Sequence, residues 1–337
     1  MIGTYISKVV DGADLTVDEA RDALVEIMEG RATDAQIAAF LTALRLKGET
    51  VAEITGAAMV MREKATRVNA GADDVLDTCG TGGDATGTFN VSTAAALVAA
   101  GAGATVAKHG NRSVTSGSGS AEVLAALGVN IEAPVGVIEA CLREARIGFL
   151  FAPKLHGAMK YAIGPRREIG IRTIFNVLGP LTNPAGANRQ LLGVYDAALI
   201  APLAETLAAL GSTHALVVHG SGLDEITTTG PTQISEARDG RVTTFEVTPE
   251  DFGLPTAALA DVQVDGPEAS AAAVRDVLDG KAGPTRDIVL LNAGAALYAA
   301  GRADGIAEGL ELAAKAVDEG AATAALEKLV EVSNTDA

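Results

Sequence analysis

From residue 72 onward the chain repeats one texture: a short, largely β-branched run, often ending near glycine, that passes into an Ala- and Leu-rich helical stretch. Val75-Leu76-Asp77-Thr78, Thr105-Val106-Ala107-Lys108, Ala215-Leu216-Val217-Val218 and Ile288-Val289-Leu290-Leu291 are runs of this kind, each expected to form a strand. Strands alternating with helices make βαβ units, whose strands lie parallel in one sheet. The pattern predicts an α/β fold with a mainly parallel central sheet, in which ligands bind at the carboxyl ends of strands. Gly164-Pro165, Gly179-Pro180 and Asn183-Pro184 interrupt the rhythm. The segment from Ile163 to Pro184 is therefore expected to leave the sheet and pack elsewhere.

The first 70 residues or so read differently. Thr16 with Glu19, Thr33 with Gln36, and Thr50 with Glu53 each form a Thr-x-x-Glu/Gln capping box ahead of an apolar-periodic run, which predicts a small helical unit. Ile37, Phe40, Leu41 and Leu44 follow helical spacing with large side chains; core is the favoured reading of that stripe, a partner face the other. The 337 residues, 48% of them hydrophobic, suit about two domains at roughly 150 residues each. Cys79 and Cys141 are the only cysteines, too few for a disulfide framework, which fits a reducing compartment. Met1 to Tyr5 leads into Lys8 and Asp11 without a sustained apolar stretch, so neither a signal nor a transit peptide is expected, and cytoplasm is the expected location. The longest uncharged run, between Asp84 and Lys108, is too polar and Ala-rich for a membrane span.

Charge is unevenly placed. The net charge is −17, yet no Asp or Glu occurs from Ala85 to Ala121, although the chain has 43 acids; about five would fall there if acids were spread evenly. Between Ala85 and Tyr195 ten Lys and Arg face five acids, leaving that stretch at +5. An acidic chain does not present a general nucleic-acid surface, but a local basic stretch suits a pocket for a compact anion.

Two loops in and beside this stretch have the composition of phosphate cradles. Gly80-Thr81-Gly82-Gly83-Asp84 follows an expected strand, and its glycines allow backbone N–H groups to approach an anion. Asn90-Val91-Ser92-Thr93 then opens an Ala-rich helix, offering hydroxyls and N–H groups. Lys108-His109-Gly110-Asn111-Arg112 follows the next strand and runs into a Ser- and Gly-rich stretch. A P-loop is excluded, because Gly87 is followed by Thr88 and Phe89 where Lys and Ser/Thr are required. A dinucleotide fingerprint is also excluded, because the acid needed about 20 residues later falls in the acid-free span. Ordinary glycine turns remain the plainer alternative.

Asp224-Glu225, just past the strand that reaches His219, supplies adjacent hard oxygen ligands suited to Mg²⁺; a turn with a helix-capping Asp is the plainer reading. An Arg within Arg166 to Arg172 could bind a substrate carboxylate bidentately or serve as a surface ion-pair partner. His214 and His219 flank a strand and read as structural, Cys79 reads as buried, and no metal-binding His spacing or Ser-His-Asp triad is present.

Taken together, Asp77 to Asp84, Asn90 to Thr93, Lys108 to Arg112, Gly119-Ser120-Ala121, Arg172 to Asn176, Gly179 to Pro184 and Asp224-Glu225 resemble the anthranilate phosphoribosyltransferase family, in family order over nearly the whole chain. The resemblance implies transfer of phosphoribose from 5-phosphoribosyl 1-pyrophosphate (PRPP) to the amine of anthranilate, a step of tryptophan biosynthesis. It implies a fold of the nucleoside phosphorylase/phosphoribosyltransferase class II type: a helical domain of residues 1–71, completed by about 165–184, and an α/β domain of 72–164 and 185–337. The helical domain would mediate a homodimer. By position, Gly80, Gly82, Gly83, Asp84, Thr88, Asn90, Ser92, Thr93, Lys108 and Ser120 would hold PRPP, while Ser92, Asp224 and Glu225 would bind Mg²⁺, two ions being expected with the pyrophosphate. Asn111 and Arg166 would meet anthranilate, with Gly80, His109, His156, Gly179 and Pro180 lining its route. Lys108, Asn111 and Arg166 are the residues expected to carry catalysis.

Glu122 departs from the Asp usual after Gly-Ser-Ala, and Gly117 stands where many members carry Lys; both bear on donor affinity. Two other readings stand beside the transferase. A pyrimidine nucleoside phosphorylase would share the fold, but its Gly-Leu-Gly-x-Thr-Gly-Gly signature is missing. A non-enzymatic nucleic-acid-binding relative would need an extended basic face.

Overall fold

A computed structural model of the chain describes residues 1–84, 86–112 and 119–335. Gly117 and the hydroxyl-rich stretch around it lie outside the described residues.

The chain begins with four helices, α1 (Ile2–Val10), α2 (Val17–Met28), α3 (Asp34–Lys47) and α4 (Val51–Lys64). All three expected capping boxes form at the starts of α2, α3 and α4. In the third, Glu53 does more than cap: its fully buried carboxylate also accepts from the Leu15 N–H at 3.0 Å and pairs with Lys47 at 3.0 Å, tying the α1–α2 connection to the end of α3 and the start of α4. The stripe Ile37, Phe40, Leu41 and Leu44 is buried, as core.

The α/β part then runs β1 (Leu76–Gly80), α5 (Val91–Gly101), β2 (Val106–Gly110), α6 (Ser120–Ala126), α7 (Val135–Glu144) and β3 (Ile147–Phe151). Next come α8 (Ala152–Leu155), α9 (Lys160–Ile169) and α10 (Phe175–Leu178), outside the sheet; α10 and most of α9 fall in the segment from Ile163 to Pro184 that the Gly-Pro pattern expects to leave it. The chain re-enters with β4 (Arg189–Gly193), α11 (Ile200–Ala209), β5 (His214–Gly220), β6 (Thr232–Arg238) and β7 (Arg241–Val247). It ends in α12 (Gly266–Leu278), α13 (Pro284–Ala299), α14 (Ile306–Asp318) and α15 (Ala321–Ser333). The seven strands lie in the order β3-β2-β1-β4-β5-β6-β7; the first five are parallel, and β6 and β7 extend the edge antiparallel.

One expectation is corrected. Ile288-Val289-Leu290-Leu291 is not a strand but the interior of α13. Gly283-Pro284 sets a helix start with Pro in the first turn, and the helix is buried on nearly every side, so its apolar residues run on without a 3.6-residue stripe.

Each sheet face has its own core. Leu216 and Val218 of β5 join Leu76, Val106 and Leu191 against α5 and α13, whereas Ala215 and Val217 join Cys79, Leu192 and α11 on the opposite side. The second core continues into the N-terminal helices and takes in Ala162 of α9, Phe175 and Leu178 of α10, and Leu181. Among the described residues no helix is long and apolar enough to cross a membrane.

Candidate active site

The strand order reverses between β1 and β4, since the chain fills one side with β2 and β3 before returning to the other. A crevice opens at such a switch point, outside the carboxyl ends of the strands. Gly80 and Gly193 face each other there as the last register pair. Beyond them the Thr81 N–H donates to the Gly193 carbonyl at 2.9 Å, and the Tyr195 N–H donates to Thr81 Oγ1 at 3.1 Å. Gly82 (φ +63°) and Gly83 (φ +88°) then adopt the left-handed region open to glycine. The Gly82 N–H donates to Asp224 Oδ2 at 3.0 Å, so this loop already holds a carboxylate on a backbone amide.

Asn90 caps α5: its Oδ1 accepts from the Thr93 N–H at 3.0 Å and from Ser92 Oγ at 3.3 Å. The Thr93 amide is thus occupied, and its hydroxyl is fully buried without a hydrogen-bond partner among the described residues. Lys108 lies beneath this helix start, 1% exposed, its Nζ donating to the Thr78 carbonyl at 2.6 Å and to Ser92 Oγ at 3.2 Å. Burial lowers its pKa, and the charges of Asp77, Glu225 and Asp224 oppose that shift. Thr88 bridges to Gln263, and the Gln263 amide donates to the Thr86 carbonyl at 2.6 Å, fastening the far side of the glycine loop. Ser120 opens α6, and Asn111 is exposed just past β2.

Asp224 and Glu225 follow β5, half-buried. Burial raises both carboxyls; the charge of Asp84 adds to it at Asp224, and that of Asp224 at Glu225. Among the described residues no group of three or more His, Cys, Asp or Glu forms a ready-made metal cage. A few crowded carboxylates are the donor set of a cation that completes its shell with substrate oxygens, as Mg²⁺ does. The pair is held by α13, because Asn292 accepts from the Ile226 N–H at 2.9 Å and donates to the Ile226 carbonyl at 2.7 Å.

The other wall comes from α9, α10 and their neighbours. Arg166, in the last turn of α9, stands 5.0 Å over the Phe175 ring and has no acidic partner among the described residues. Burial lowers its pKa. His109 Nδ1 donates to the Gly179 carbonyl at 3.1 Å, leaving its Nε2 to accept from His156 Nε2 at 3.1 Å. The pair is therefore neutral: His109 is pushed down to about 3 by burial and then by His156, and His156 to about 4 by burial. The Pro180 carbonyl is fixed by Gln190 at 2.7 Å.

Two buried polar residues escaped the sequence reading as functional supports. Asp77 accepts from the His109 N–H at 3.0 Å and from Asn183 Nδ2 at 2.8 Å, and the same Asn183 amide reaches the Ala107 carbonyl at 2.8 Å. They join the 179–184 segment to β1 and β2. Both stand in stretches that carry the family resemblance, with no role assigned to them there; beyond that the sequence signal was an acid inside a strand and an Asn before a Pro.

Thus a glycine loop, a helix start and an acid pair share one sheet edge, facing a helical segment that bears an Arg laid over an aromatic ring. That combination defines a transferase of a phosphorylated sugar, and the comparisons agree with it. Residues 72–323 match the glycosyl transferase family a/b domain, and residues 4–65 match the helical bundle domain of the same family. An anthranilate phosphoribosyltransferase from Anaeromyxobacter sp. strain K is 55% identical over 337 residues, covering 100% of both chains. The crystal structure of the anthranilate phosphoribosyltransferase from Thermus thermophilus superposes with a TM-score of 0.93 at 42% identity, covering 98% of this chain and 99% of that one. The Saccharomyces cerevisiae enzyme in complex with PRPP and Mg gives a TM-score of 0.87 at 30% identity, over 98% and 97% of the two chains. The chain belongs to the anthranilate phosphoribosyltransferase family.

Proposed function

We propose that this protein transfers the 5-phosphoribosyl group of PRPP to the amine of anthranilate and releases pyrophosphate. The observation that carries the reading is the meeting, at the carboxyl edge of β1, β2, β4 and β5, of an anion-cradling glycine loop and the Asp224-Glu225 pair. The full-length relatives, named for this activity, support it.

In this reading Gly80, Gly82, Gly83, Asp84, Thr88, Asn90, Ser92, Thr93, Lys108 and Ser120 form the donor side. Asp224, Glu225 and Ser92 hold Mg²⁺, two ions with the pyrophosphate, and the yeast relative solved with PRPP and Mg supports a magnesium-bound donor. The metal neutralises charge on the leaving pyrophosphate. Lys108 contributes a fixed positive charge beneath the loop, and the free loop amides contribute dipoles that need no reorganisation. The C1–oxygen bond to pyrophosphate breaks as the C1–nitrogen bond forms, and the anilinium proton leaves to solvent or pyrophosphate. Anthranilate's amine is already neutral, so no strong base is assigned.

Arg166 takes the anthranilate carboxylate and orients the amine, a proximity effect, with Asn111 beside it. His109 and His156 line the route together with Gly80, Gly179 and Pro180; held neutral, the histidines neither attract nor repel the carboxylate. The domain limits proposed are 1–71 with 165–184, and 72–164 with 185–337. A homodimer through the helical domain, which exposes Val10 and Leu46 at 66% and 83%, is proposed and is readable by sedimentation. Cytoplasm is the proposed location.

The test is anthranilate fluorescence over time with PRPP and Mg²⁺, repeated with EDTA. Decay that needs both donor and metal is expected. No decay with folded protein would overturn the reading and direct attention to phosphorolysis of nucleosides and to nucleic-acid binding.

A further inference from the structure

Arg172 lies six residues beyond Arg166 in the sequence, yet its guanidinium crosses to the donor loop. Its Nη2 donates to the Gly83 carbonyl at 2.6 Å, and its plane sits 3.9 Å over the Tyr195 ring. A Cβ on Gly83 would come within 2.9 Å of Arg172 Cζ, so the guanidinium rests against the bare face of that glycine. The N–H groups of Gly83 and Asp84 have no hydrogen-bond partner among the described residues.

At φ +88° Gly83 sits where a peptide can turn over at small steric cost. In a trans peptide the carbonyl and the N–H point opposite ways. A Gly83 carbonyl facing an incoming pyrophosphate would repel it, whereas an amide facing it binds it. We infer that Arg172 is a positioning residue for the donor substrate: it draws the Gly83 carbonyl outward and thereby turns the Asp84 N–H inward to receive the pyrophosphate. The role is a charge-assisted hydrogen bond on a stacked plane, which Lys cannot reproduce. Tyr195, continuing from β4, holds that plane, so the acceptor-side segment and the strand edge meet on one loop carbonyl.

The inference rests on PRPP being the donor. Wild-type protein, Arg172→Ala, Arg172→Lys and Tyr195→Leu are compared by steady-state kinetics and by the thermal shift that PRPP with Mg²⁺ induces. Failure of the wild type to show any such shift would sink the donor reading itself. Given a wild-type shift, Arg172→Ala should raise the donor KM and the half-saturating PRPP for the thermal shift by about tenfold or more, with the anthranilate KM within about twofold. Arg172→Lys should recover little, and millimolar guanidinium should restore part of the Ala variant's donor affinity. Equal donor affinity in wild type and variants, or an equal rise in both KM values, would overturn the assignment. Should Arg172→Ala fail to fold, Tyr195→Leu and Arg172→Lys carry the same two readouts.

Discussion

Arg166 has no acidic partner among the described residues and is fixed instead by an aromatic ring. Arg189 and Arg286 hold Asp74 and Asp318 at 2.7 and 2.8 Å, whereas Arg166 lies over the Phe175 ring, as its proposed hold on the anthranilate carboxylate requires. Arg166→Ala should therefore raise the anthranilate KM far more than the donor KM, and steady-state kinetics with each substrate varied in turn would show it; equal effects would contradict the assignment. Asp224 and Glu225 crowd each other, and a cation relieves that repulsion. Glu225→Gln should shift the Mg²⁺ requirement to higher concentration, by about tenfold for a lost ligand charge, in activity titrations with free Mg²⁺ controlled. The glycine loop, Lys108 and the acid pair were legible because their residue types and the surrounding shortage of acids are sequence facts. Asp77, Asn183 and Asn292 were not, because a polar side chain acquires such a role only through the partners that burial brings to it.

Among the elements, the sequence told helices from strands where an end signal accompanied the pattern. Thr16, Thr33 and Thr50 marked three helix starts correctly, and Thr50→Ala should cost about 1 kcal/mol in a urea unfolding experiment. Strand β4 went unread because Arg189 and Gln190 open it with polar side chains, each of which finds a tertiary partner. Helix α13 was misread because complete burial erases the periodicity that identifies a helix. Its Asn292 gives the element a second task. Asn292→Ala leaves the Ile226 amide and carbonyl unpaired, at a cost of about 2–3 kcal/mol. Its half-saturating Mg²⁺ should rise as well, while a core truncation elsewhere on α13, such as Leu297→Ala, should lower the urea midpoint and leave the Mg²⁺ dependence alone.

For the whole molecule, the neutral histidine pair links stability to pH. The folded pKa values, about 3 for His109 and about 4 for His156, lie below the usual value of about 6.5. The unfolded chain thus takes up protons that the folded chain refuses. The stabilisation is full above about pH 6.5 and is lost as pH falls toward 4, by up to about 1.4 kcal/mol per pH unit per histidine. Burial raises the folded pKa of Asp77 to about 6, which acts in the opposite sense, so the test is a difference. Denaturation midpoints at pH 7.5 and pH 5 should diverge less in a His109→Gln/His156→Gln variant than in the wild type; equal divergence would remove the pair from the account.

The core that the first four helices share with residues 162–181 also has a consequence for synthesis. Those helices leave the ribosome with their apolar faces unfinished, and the missing pieces are encoded roughly a hundred codons downstream. At about 5–20 residues per second the nascent bundle waits roughly 5–20 seconds for its partners. During that interval it is a natural client for a holding chaperone, and pauses in translation between α4 and α9 should lower the yield of folded protein.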